Sequence, residues 1–123
     1  MYFTLPGEPV CKGRPRFLRN GATYTDAKTR AAEAAIGWAY REAAGAAARP
    51  LAGQVQIGML FCVGTRRRKD LDNMVKLVMD ALNRLAWRDD SQVVSIVAIK
   101  RQEKPARTEV MVGVIVDTTT SEA

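Results

Sequence analysis

Residues 66–90 read RRRKDLDNMVKLVMDALNRLAWRDD. Four consecutive cations run into an Asp-x-Asp-Asn step, a helical pattern carrying Lys76 and Asp80 follows, and the stretch closes on the acidic pair Asp89-Asp90. Taking Leu71 as zero and advancing about 100° per residue, Leu71, Val75, Val78, Leu82 and Leu85 fall in one apolar stripe. A helix with such a stripe docks on a sheet. Asp72, Lys76, Asp80 and Asn83 form a polar stripe beside it, in which Asp72 and Lys76 are four apart and can touch.

The flanks supply the sheet. Upstream, Gln54 to Val63 alternates Val55, Ile57, Met59, Phe61 and Val63 with smaller or polar residues, the period of a half-buried strand. Downstream, Gln92 to Lys100 is rich in Val and Ile and reads as a strand buried on both faces; Lys104-Pro105 is a turn and Thr108 to Val116 a final strand. Tyr2 to Leu5 is an early strand stopped by Pro6-Gly7, and Asn20-Gly21 predicts a small hairpin with a type I′ turn. Thr25 or Asp26 can cap an alanine-rich helix running to about Ala48, weakened slightly by Gly37 and Gly45, with Trp38 and Tyr40 as packing residues against the core or a dimer partner. Residues 118–123 read as a frayed tail. The expectation is one α/β (α+β) domain over residues 1–123: a mixed sheet of about four to five strands with two main helices packed on it.

Composition restricts the chemistry. The chain has 123 residues, 47% hydrophobic and 26% charged, which suits an ordinary globular domain. Nineteen Lys and Arg against thirteen Asp and Glu give a formal charge of +6, favouring polyanions, nucleic acid first and an acidic membrane surface second. No apolar run approaches the roughly 20 residues that cross a bilayer. Cys11 and Cys62 read as reduced thiols of a cytoplasmic protein. With no histidine and two cysteines, neither an imidazole base nor an ordinary zinc site is available. Chemistry here must use carboxylates, Lys or a hard cation.

The order of charges is what needs explaining. Arg66, Arg67, Arg68 and Lys69 stand ahead of a helix whose amino end is itself partly positive, so they repel one another and the dipole. Asp70 and Asp72 compensate only in part, and a phosphate backbone could supply the rest. Lys12, Arg14 and Arg16 alternate along an extended segment and would add a second strip of phosphate contacts, continued by Arg19. A solvated, aggregation-resistant edge is the plainer reading of that strip.

Asp70 and Asp72 can face one ion only if Asp70 precedes the helix as a cap-like residue. Asp90 would arrive from the start of the next strand. Carboxylates converging without His or Cys make an oxygen site, suited to Mg²⁺ or Mn²⁺. Each part alone has a bland explanation as a cap, a turn or a helix-face ion pair. Asp80 lies two turns beyond Asp72, roughly 12 Å along the axis, and Asp89 points to the opposite face from Asp90, so both are supporting residues, with Asn73. A phosphatase or sugar transferase built on Asp-x-Asp is weaker, because its nucleophile should follow a hydrophobic strand directly and four cations intervene.

Basic residues leading into Asp70-Leu71-Asp72-Asn73, then Lys76, Asp80-Ala81-Leu82, Asp89-Asp90 and a Val-rich strand to Lys100 resemble the RusA family of Holliday junction resolvases. Leu5-Pro6-Gly7 and Lys12-Gly13-Arg14-Pro15-Arg16 resemble its opening more loosely. The resemblance implies a homodimeric, Mg²⁺-dependent endonuclease that binds four-way DNA junctions and cuts opposed strands in recombination and repair. It implies essential aspartates at Asp70, Asp72 and Asp90 and an essential lysine at Lys76, with no nucleotide or organic cofactor. The alternative is a non-catalytic basic junction-binding protein of the same fold.

Overall fold

The computed structural model describes residues 1–13, 16–21, 23, 24 and 26–116, with the backbone alone at 16, 17, 23 and 24. The expected tail at 118–123 lies outside the described residues. The chain runs through β1 (Tyr2–Pro6), β2 (Arg16–Phe17), β3 (Thr23–Tyr24), α1 (Ala27–Ala44), β4 (Val55–Val63) and α2 (Leu71–Leu82). A 3₁₀ turn over Asp90–Gln92 then leads into β5 (Val93–Gln102) and β6 (Arg107–Val114). Four strands form one mixed sheet in the order β1-β6-β4-β5, and β2 and β3 pair apart from it.

The alternation in β4 places Val55, Ile57, Met59, Phe61 and Val63 on the helix-covered face, none more than 5% exposed. They meet Phe3 of β1, Val110 and Val112 of β6, Ile36 and Tyr40 of α1, and Met74, Leu77, Val78 and Leu82 of α2. Phe3 and Tyr40 pack edge to face at 6.1 Å. The stripe on α2 is therefore centred on Met74, Leu77, Val78 and Leu82, with Leu71, Val75 and Leu85 at its margins. The stripe traced from Leu71 ran along one side of the buried arc and missed Met74 and Leu77.

Two expectations are corrected, the burial of β5 and the end of α1. β5 is an edge strand, because β6 returns antiparallel on the far side of β4 while β5 pairs parallel with β4 alone. Its Val94, Ile96, Val97 and Ile99 are 44–59% exposed, where burial on both faces was expected. α1 ends at Ala44, since Gly45 takes φ +92 and its N–H closes on the Arg41 carbonyl. Trp38 is 65% exposed beside a groove between the helices, while Tyr40 enters the core.

The small hairpin forms, but Asn20 does not have the positive φ that a type I′ turn requires. Gly21 alone carries it, at +84, and its N–H bonds the Leu18 carbonyl at 3.0 Å. Both cysteines are free thiols; Cys62 is buried, and burial with the neighbouring Glu103 pushes its thiol pKa up. No described helix is long and apolar enough to cross a membrane.

Candidate active site

Asp70 is the N-cap of α2, with extended backbone (φ −85, ψ 124), and its carbonyl accepts the Met74 N–H at 3.2 Å. Its carboxylate makes no capping bond to the helix amides. Among the described residues it takes only a long contact from Asn73 Nδ2 at 3.5 Å. Asp72, in the first turn, is exposed and forms no ion pair among the described residues. Two carboxylates thus stand at the positive end of a helix dipole without using it for capping, which leaves their oxygens open to a cation. Lys76 is exposed one turn on, and it is not ion-paired with Asp72, although the spacing would allow contact.

The loop bearing Asp70 is held from two sides. Lys100 Nζ donates to the Lys69 carbonyl at 2.8 Å. Lys69 Nζ donates to the Pro9 carbonyl at 2.6 Å and pairs with Glu8 at 3.5 Å, and Glu8 also accepts the Gly64 N–H at 2.9 Å. The amino-terminal arm is fastened to α2 by Lys12 N–H to the Asn73 carbonyl at 3.0 Å. These ties set the entry angle of the chain into α2.

The expected row of phosphate-binding cations is thereby divided. Lys12 is an ion-pairing residue, sandwiched between Asp80 and Glu33. Burial alone would lower its pKa, but the Asp80 and Glu33 carboxylates outweigh that and hold it up. Lys69 turns inward as described. Arg66, Arg67 and Arg68 are exposed, form no ion pair among the described residues, and share a cavity of about 300 Å³ with Lys100 and Arg101, into which no carboxylate projects. Arg14, and the side chain of Arg16, lie outside the described residues. Arg19 is exposed at the hairpin turn.

Gly13 sits where the arm crosses the amino end of α1. Its N–H donates to Thr29 Oγ1 at 3.1 Å, and an added Cβ would run into the Asp26 carboxylate, which caps α1 through the Thr29 N–H at 2.7 Å. Gly13→Ala should displace that cap at about 1 kcal/mol, seen as a Tm roughly 3–5 °C lower in a thermal melt. An unchanged Tm would mean the cap yields freely.

At the other end of α2 the acidic pair divides its labour. Asp89 accepts the Ser91 N–H at 2.9 Å while Gln92 Oε1 accepts the Asp89 N–H at 3.0 Å, a reciprocal capping box. Those bonds to Ser91 hold its carboxyl below the usual range. Asp90 Oδ1 instead accepts the buried Trp87 Nε1–H at 2.8 Å, which fixes its direction. Asp90 is not beside Asp70 and Asp72 in the chain, contrary to the expected convergence. α2 and β5 run in opposite senses, so the start of β5 lies at the far end of the helix. Accordingly, no group of three metal-ligating side chains occurs among the described residues. The remaining pair still fits Mg²⁺, which takes one or two carboxylates and completes its shell with water and phosphate oxygens.

Sequence reading missed Lys100 and Arg101 as members of the basic cavity and Trp87 as the residue that orients Asp90. The signal for Trp87 was its position three residues before Asp90; nothing local marks Lys100.

Two comparisons bear on this site. The chain is 33% identical to the uncharacterized protein YqaN of Bacillus subtilis (strain 168), over 89% of this chain and 93% of that protein. Residues 6–113 match the family described as Endodeoxyribonuclease RusA, a span that includes the arm, both ends of α2, β4, β5 and β6 but for its last residue. The chain therefore belongs to the RusA family, the endodeoxyribonucleases that resolve Holliday junctions.

Proposed function

We propose that this protein cuts four-way DNA junctions with Mg²⁺, or Mn²⁺, held by Asp70 and Asp72 with Asp90 as a third carboxylate, acting as a homodimer that makes paired incisions. The observation that carries the reading is the amino end of α2. Among the described residues, two exposed carboxylates stand there without capping or ion-pair partners, next to Arg66, Arg67 and Arg68, which are likewise unpaired. Opposite charges at such close range in sequence, with no ion pair between them, suit a cation on the carboxylates and a phosphate on the arginines.

Bound there, the ion would polarise a phosphodiester oxygen and lower the pKa of a water molecule. The chain does the rest. Arg66, Arg67 and Arg68, with Lys100 and Arg101 behind them, draw the backbone toward the carboxylates. Lys76, exposed and without an ion pair among the described residues, offers a donor to the attacking water or to the charge developing on phosphate. Asn73 and the Lys12–Asp80 pair hold the arm and the helix entry in place. Contacts of this kind read backbone shape, so arm sequence should matter little to binding.

The test is a synthetic four-way junction with several arm sequences, incubated with the protein with Mg²⁺ and with a chelator. Mg²⁺-dependent opposed nicks are expected. Binding without any cutting would select the non-catalytic junction binder, for which the separation of Asp90 from the other acids speaks. Arg67→Ala and Arg68→Ala should each weaken binding across all arm sequences and reduce the salt slope of log K by about 1. A slope equal to wild type would remove that residue from the phosphate-binding set.

A further inference from the structure

The groove between α1 and the end of α2 carries a second set of polar and aromatic side chains, apart from the acids. Arg30, Trp38 and Arg41 lie within one arc of α1, about 80° wide at about 100° per residue. Asn83 and Arg84 face them from the end of α2. The space they enclose is about 530 Å³, within the range of small-ligand sites.

The groove is short of negative charge. None of its three arginines forms an ion pair among the described residues. Its own carboxylates, Glu33 and Asp80, are both bound by Lys12, so that four cations stand against two acids. Asp89, held low first by its bonds to Ser91, feels Arg84 only as a weaker and more distant charge. Arg84 has φ +68, a left-handed conformation that glycine takes freely and arginine does not. The turn thus brings a guanidinium to the groove where glycine would suit the backbone better.

Trp38 is 65% exposed, and with Arg41 and Leu85 it also lines a second groove of about 610 Å³. A large ring open between two grooves and flanked by guanidinium groups offers a π-face to a base and cations to the phosphates beside it. Asn83 adds an amide whose Oδ1 is buried with no partner among the described residues. Turned toward the groove, that oxygen would accept from the exocyclic amino group of a base. The polar stripe of α2 leads there from the acids. Asp72 to Asn83 spans about 16 Å at about 1.5 Å per residue, or about five nucleotides at about 3.4 Å each in a stacked strand.

We infer that this groove binds an unpaired nucleotide of a DNA single strand, its base stacked on Trp38 and its phosphates held by Arg30, Arg41 and Arg84. The DNA is taken from the nuclease reading above. The groove holds a strand freed from pairing a few nucleotides from the cut.

Binding of octadeoxyadenylate tests this in the presence of a chelator, so that no strand is cut, beside an abasic oligomer of the same length and charge. Trp87 is fully buried, so quenching of tryptophan fluorescence reports Trp38. Octadeoxyadenylate should quench it and bind at least about 5-fold more tightly than the abasic oligomer, and Trp38→Ala should lose about 5- to 150-fold in affinity with an unchanged Tm. Arg41→Ala and Arg84→Ala should each weaken binding and reduce the salt slope of log K by about 0.7.

Equal binding of the two oligomers, wild-type affinity in Trp38→Ala, or an unchanged salt slope in both arginine variants overturns the inference. So does a Trp38→Ala protein that sediments as a smaller species than wild type, since the ring then serves a contact between copies. A protein that cuts no junction yet shows the Trp38-dependent binding loses the nuclease reading and keeps the groove.

Discussion

Asp72→Asn is expected to cut a four-way junction on the order of 10³-fold more slowly than wild type while binding it at least as tightly. The substitution keeps the shape and removes one negative charge from an exposed first-turn position that forms no ion pair among the described residues, so the fold has no reason to respond. A carboxylate that holds a catalytic cation supports several kcal/mol of transition-state stabilisation, and tenfold in rate corresponds to about 1.4 kcal/mol. Binding should hold or improve because a charge repelling phosphate is gone from beside Arg66, Arg67 and Arg68. Gel-shift and cleavage assays on one junction separate the two effects. Wild-type cleavage by this variant would remove Asp72 from the site.

The second large effect is structural. Trp87 is fully buried, and Trp87→Ala should destabilise the protein by about 3–5 kcal/mol, because the side chain's volume is left as a cavity and its indole N–H bond to Asp90 is lost. For a chain of this size that is a fall in Tm of roughly 10–20 °C. Trp87→Phe isolates the second contribution. It fills most of the space and lacks the donor, so it should cost much less stability yet leave Asp90 without its fixed direction, slowing cleavage while the melt stays close to wild type. A Trp87→Phe protein that cuts normally would show that Asp90 needs no such guidance.

Much of the fold was legible because it is written in local periodicity. The alternation from Val55 to Val63 identified the central strand and its inner face, and the helical spacing after Asp70 identified α2 and its polar side. Asp70 as a non-helical cap followed from the need to point with Asp72 at one place, and the backbone angles at Asp70 are those of a cap. The β5 run misled for a definite reason. Its apolar run reads like that of a strand covered on both faces, and composition does not say which strand stands at the edge of the sheet.

The cations show the same division. Sequence placed Lys12, Lys69 and Arg66 to Arg68 in one class, since each is a positive charge within a basic run. Only the folded chain brings Glu33 and Asp80 to Lys12, and Glu8 and the Pro9 carbonyl to Lys69, leaving the arginines exposed. The order of elements and the helix that carries the acids were determined by the sequence alone, through spacing and residue type. Tertiary structure decided which strand is the edge, which cations are already paired, and that Asp90 lies a strand's length from Asp70. Those depend on pairings between residues distant in the chain, to which local periodicity is blind.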